Sequence, residues 1–154
     1  MTSQLFTIHA TTCSNAVTYQ SGATPAASGA MFLASDLWSG HIHATDETKN
    51  TFLVPKGCDL KIWDASVYGL PATVTIMASA DSGTTYEPLK SYANLTATAA
   101  SNSVYTVKHS SRPVVIPSPD GNKKVRVVYI TQAGDAVGNV NADFTAEILE
   151  SDTY

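Results

Sequence analysis

Charge is what this chain has least of. Asp, Glu, Lys and Arg make up 14% of its 154 residues, against about 25% in an ordinary soluble domain. The basic residues are scattered, and Lys123, Lys124 and Arg126 form the one cluster. With a formal net charge of −4 there is no basic face to neutralise phosphates, so nucleic acid is not an expected partner. No apolar run approaches the roughly 20 residues of a membrane-spanning helix, so no membrane partner is expected either. No basic, apolar leader opens the sequence, and production in a cytoplasm is expected. Cysteine is almost absent. Cys13 and Cys58 lie far apart in sequence and are expected as reduced, small, buried hydrophobes rather than a disulfide.

The signatures of catalysis are missing as well. There is no Gly-x-Ser-x-Gly elbow, no reactive-cysteine motif and no phosphate-cradling glycine loop. Asp59, Asp64 and Asp81 could supply carboxylates, but glycosidase chemistry needs two that face each other. His41 and His43 share one face of an expected strand, with Asp46 or Glu47 close in sequence. Two imidazoles do not complete a metal site, and His9 and His109 could join them only through folding. The expectation is a chain with no enzymatic activity, no cofactor and no bound metal.

What fills the gap is Thr, Ser, Ala and Val, arranged with a period of two. In Thr73–Ser79, Val74, Ile76 and Ala78 alternate with Thr73, Thr75, Met77 and Ser79, as a strand burying one face does. In Lys124–Ile130, Val125, Val127 and Tyr129 point one way. In 139–149, Val140, Ala142, Phe144, Ala146 and Ile148 do. Asp59–Asp64 alternates, placing Leu60 and Ile62 inside and Trp63 on the polar side. Thr51–Val54, Val104–Lys108 and Pro113–Pro117 are shorter strands, the last an edge strand because proline cannot donate to a ladder. Residues 90–103 read as a loop with an irregular strand, anchored by Tyr92 and Leu95. Ala30–Trp38 has the apolar content for one or two helical turns. Pro119-Asp120-Gly121 has turn chemistry.

Between the strand at 73–79 and Tyr86, Ser79, Asp81, Gly83, Thr85 and Tyr86 resemble the Asp-box hairpin, Ser-x-Asp-x-Gly-x-Thr-Trp, with Tyr for Trp. That box recurs in sialidase-type propellers and occurs singly in β-sandwiches. The resemblance implies a structural turn, with Ser79 and Asp81 tying the loop, Gly83 taking positive φ and Tyr86 packing beneath. One copy in a chain this short does not make a propeller.

Roughly eight to ten short strands, with turns every eight to twelve residues and no long helix, mean an all-β antiparallel sandwich. A jelly-roll-like sandwich is expected, with an immunoglobulin-like one as the alternative. Residues 1–30, with a short apolar piece at Leu5, Phe6 and Ile8 followed by a Ser/Gly/Ala/Thr-rich run, read as an extended N-terminal arm whose apolar piece could be an edge strand. Residues 31–154 read as the sandwich domain.

The low charge, the Ser-Gly-Ala-rich start and the segments ATVTIMASADSGTTYEPL and GNKKVRVVYITQAG…VNADFTAEIL together resemble the small β-sandwich structural proteins of tailed-phage virions, above all head decoration or cement proteins. The resemblance implies a virion protein without catalysis that clamps neighbouring major capsid subunits, with a trimer favoured. Under it Leu5, Phe6, Ile8, Met31, Phe32 and Trp38 are the candidate contacts to capsid or to other copies. The alternative is a carbohydrate-binding sandwich stacking sugars on Trp38, Trp63, Tyr68, Tyr86, Tyr92 or Tyr105.

Overall fold

A computed structural model describes residues 3–12, 17–18, 27–35, 50–95, 105–132 and 137–151. Among them the regular structure is all strand: β1 (Ser3–Thr11), β2 (Val17–Thr18), β3 (Ser28–Ala30), β4 (Phe32–Ser35), β5 (Phe52–Leu53), β6 (Cys58–Gly69), β7 (Ala72–Ser79), β8 (Glu87–Asn94), β9 (Tyr105–Ser118), β10 (Lys124–Thr131), β11 (Val137–Gly138) and β12 (Val140–Glu150). The first sheet runs β4-β1-β12-β6-β9. The second runs β3-β10-β7-β8, with β5 also on β10, and β2 and β11 form a small ribbon.

The pairing is nested. β7 pairs with β8, β6 with β9, β5 with β10 and β1 with β12, all antiparallel. This is one long hairpin whose successive pairs fall alternately into the second and the first sheet. Rolled up in this way it is a jelly roll, and not the immunoglobulin-like alternative.

The period of two does the packing. On β12, Val140, Ala142, Phe144, Ala146 and Ile148 are all buried, and on β7 and β10 so are Val74, Ile76, Ala78, Val125, Val127 and Tyr129. They close one core with Phe6, Ile8 and Ala10 of β1, Met31, Leu33 of β4, and Leu60 and Ile62 of β6. β6 needs a correction of phase to stay in that core. Its register shifts between Ile62 and Asp64 against β9, and β12 shifts opposite the same place. The bulge puts Trp63 and Asp64 both outside, and Ala65 and Val67 return to the core.

Several expectations are corrected. The described part of residues 1–30 is not an arm: β1 is an inner strand, paired along its whole length with β12 and at Ile8–Thr11 with β4. Its alternating Phe6, Ile8 and Ala10 have enough apolar area to be drawn into the core. Residues 32–35 are strand rather than helix, because pairing with β1 satisfies their backbone groups. Residues 87–94 form a strand, β8, longer than the loop reading allowed but irregular as expected, its register against β7 shifting at Leu89. Tyr92 is buried and Leu95 exposed. The two strands expected around 104–117 are one, β9, at the edge of its sheet.

Candidate functional site

The turn between β7 and β8 is built as its residues imply. Ser79 Oγ donates to Asp81 Oδ1 at 2.6 Å and accepts the backbone N–H of Asp81 and of Gly83, the latter at 2.8 Å. Asp81 then takes the Thr85 N–H at 2.8 Å and the Thr85 hydroxyl at 2.6 Å. These bonds from Ser79 and Thr85 hold the Asp81 carboxyl well below the usual carboxylate range. Gly83 has φ 96, and so does its neighbour Ser82 turn left-handed at φ 60, which the motif alone did not signal. A Cβ at Gly83 would meet Lys124 Cδ at 3.2 Å and the Tyr86 hydroxyl at 3.3 Å. The glycine therefore lets Lys124 and Tyr86 close against the turn.

Tyr86 does pack beneath, but its partner is a cation. The Arg126 guanidinium carbon lies 4.1 Å from the centre of the Tyr86 ring, within the range of a cation–π contact. Burial pushes the Tyr86 hydroxyl pKa up, and Arg126 pulls against it. Arg126 and Lys124 are two apart on β10, opposite Met77 and Ser79 of β7, so both face outward from the second sheet. On the other flank of the hairpin is a shallow cavity of about 210 Å³ lined by Ala78, Ala80, Asp81, Thr85, Glu87, Leu89 and Lys123.

Beyond that end, the outer face of the second sheet has no charge among the described residues. Its cross-strand rows are Ser28, Ile130, Thr73, Ala93 and Ala30, Val128, Thr75, Ser91. Ile130 is 53% exposed. Thr75 and Ser91 satisfy each other across the strands at 2.8 Å. The outer face of the first sheet is the opposite in character. Asp59, Lys61, Asp64, Glu147, Asp143, Lys108 and His9 lie along it by register. His9 Nδ1 donates to Asp143 at 2.5 Å and the Tyr68 hydroxyl to the other Asp143 oxygen at 3.2 Å. Burial, with Asp143 beside it, pushes the Tyr68 pKa up to about 12. Ser110 donates to Asp64, and Trp63 Nε1 to Glu147.

Of the six expected contact residues, the five described do not form one surface. Phe6, Ile8 and Met31 are in the core, corrected from contact residues to packing residues. Leu5 stands 67% exposed on the first sheet's outer face, and Phe32 is half-buried on β4. Trp38 lies outside the described residues, as do His41, His43, Asp46, Glu47 and Cys13. Cys58 is free and buried. Burial raises its thiol pKa. The aromatics proposed for sugar stacking are dispersed: Trp63 is outside, Tyr92 is in the core edge-on to Phe144 and His109, and Tyr86 is under Arg126. Among the described residues no three potential metal ligands come together. The site that sequence reasoning missed is the Tyr86–Arg126 stack. The signal was the only basic cluster, but nothing in one dimension places β10 beside the hairpin.

The fold and these faces define an all-β jelly-roll sandwich with one charged and one largely uncharged broad face. No protein-family model and no curated protein matches the chain. Among solved structures it is similar to murine APRIL in a crystal structure at pH 8.0, at 11% identity over 92% of this chain and 99% of that chain, with a TM-score of 0.46. It is also similar to a chain in a structure of the infectious bursal disease virus Gx strain, at 12% identity over the whole of this chain and 35% of that chain, with a TM-score of 0.45. The chain thus spans about a third of the viral one, and the fold assignment rests on the nested strand pairing.

Proposed function

We propose that this is a non-enzymatic virion structural protein of the head decoration or cement type, which stabilises contacts between major capsid subunits. The observation that carries the reading is the outer face of the second sheet. Two cross-strand rows of Thr, Ser, Ala, Val and Ile carry no charge, while the opposite face carries charges throughout. A face depleted of charge is inexpensive to desolvate, and depletion of charge marks the centre of protein interfaces. A preformed sandwich also loses little conformational entropy on docking, and repetition around a shell multiplies a weak contact. In this reading the protein resides in the virion, docks as an oligomer, with a trimer favoured, and contacts neither nucleic acid nor membrane. Leu5 and Phe32, on the first sheet, lie outside that docking face.

The test is co-sedimentation with shells of the major capsid protein of the virus that carries its gene, followed by electron microscopy of the decorated shell. The expected result is saturable, regular occupancy. Absence of binding to intact shells overturns the reading.

A second reading has its own observation. Trp63, 37% exposed at the β6 bulge, is flanked by Glu147, Lys61 and the Asp64–Ser110 pair. An exposed indole with hydrogen-bonding neighbours is what a sugar-stacking site uses. A glycan array separates this module from the first reading. Binding there must disappear in Trp63→Ala.

A further inference from the structure

Arg126 is held against the β7–β8 hairpin. Its guanidinium stacks on Tyr86 at 4.1 Å, and its Nε–H is enclosed without an acceptor. Among the described residues no carboxylate forms an ion pair with it. A cation fixed in place with an unsatisfied donor is an incomplete arrangement, since buried donors are almost always paired. The side chain as a whole is half-buried, so its terminal nitrogens are the donors left for an outside group. Lys124, on the same face and two residues away, adds a second cation over Gly83. Asp81 also acts on Tyr86, and its oxygens are occupied by Ser79 and Thr85. Glu87 and Lys123 line the cavity on the far flank of the hairpin.

We propose that Arg126 and Lys124 form a receptor for a carboxylate, supplied by an acidic side chain of the neighbouring protein subunit. A planar guanidinium presents parallel N–H groups that match the two oxygens of a carboxylate. Tyr86 pre-organises that fork, so little rotamer entropy is lost when the anion arrives. The adjoining sheet face explains the source. Met77, Val128 and Thr75 adjoin Arg126 as an uncharged surface, which suits a protein surface laid across it. An arginine at the border of such a face is placed to fix register. The assignment of the source rests on the docking function proposed above; the carboxylate site itself does not.

The experiment has two arms on the full chain. In the first, the Arg126 Nε–Hε resonance is followed by NMR at constant ionic strength while N-acetyl-glutamate amide is added, with N-acetyl-glutamine amide as the neutral control. A saturable shift with the acid alone is expected, weakened at least several-fold in Tyr86→Leu. Equal responses to both probes, or none, overturn the site. In the second arm, Arg126→Glu and Arg126→Gln are compared with the wild type for binding to capsid shells, with thermal unfolding as the check on folding. Loss of at least ten-fold in affinity in Arg126→Glu, with a smaller loss in Arg126→Gln, supports the subunit as the source. Unchanged shell binding by a folded Arg126→Glu overturns that source. A wild-type chain that binds no shell overturns both the docking function and that source, while the first arm still decides the site.

Discussion

Asp81 draws its hydrogen-bond donors from one short loop, and this makes its charge part of the fold. Because its pKa is lowered on folding, its contribution is present in full above the unfolded value of about 3.9 and drains away as pH falls through the lower folded value. Asp81→Asn is therefore expected to lower the melting temperature at neutral pH and to flatten its decline on the acid side, measured by calorimetry from pH 7 to pH 2. Tyr68 has the opposite sign. Its raised pKa of about 12 favours the neutral phenol in the folded state. That contribution is present below the unfolded value of about 10 and is lost as pH rises through about 12. Ultraviolet titration should show one tyrosine ionising later than in Asp143→Asn. Gly69 tests geometry instead of charge. Its φ is 93, and a Cβ would sit 2.2 Å from the Asn139 carbonyl oxygen. Gly69→Ala is expected to cost more than about 1 kcal/mol in urea unfolding.

β1 and β6 show how strands enter a core on different terms. β1 is the first strand in sequence yet pairs with the last one, β12. Removing residues 1–11 would strip β12 of its neighbour and the core of Phe6, Ile8 and Ala10. The truncated chain is expected to lose cooperative unfolding by circular dichroism, in place of the folded remnant that an arm would leave. The conservative version, Ile8→Ala, should cost about 2–5 kcal/mol. In β6 the bulge at Trp63 serves phase. Because Trp63 is the extra residue of the bulge, deleting it would leave Leu60, Ile62, Ala65 and Val67 in regular alternation on the core face. Deleting Ser66 from the regular part of the strand would instead turn Val67 outward. Deletion of Ser66 should therefore destabilise far more than deletion of Trp63, which removes an exposed ring and its bond to Glu147; comparison of the two by thermal unfolding checks this.

For the assembled sandwich, the asymmetry of the two faces is the property that matters. If the second sheet docks, a charge at Ile130→Lys or Thr75→Lys should abolish shell binding while leaving the fold intact, since both positions face outward. Thr145→Lys, exposed on the charged sheet, should be tolerated. The co-sedimentation assay reads both. Equal losses at all three positions would remove the distinction between the faces.

Much of this molecule is local. Alternation in β7, β10 and β12 is written residue by residue, because a strand's two faces are defined by the pleat alone. The Asp81 turn is likewise complete within seven residues, so its motif could be read before any partner was known. The pairing of β1 with β12, the entry of Phe6 and Ile8 into the core, and the stacking of Arg126 on Tyr86 were of another kind. Each joins residues distant along the chain, and their free energy comes from burying surfaces that meet only when the long hairpin rolls up. An apolar side chain near the start of a chain looks the same whether it awaits a neighbour or another strand; the area that covers it is settled by the arrangement of the sheets.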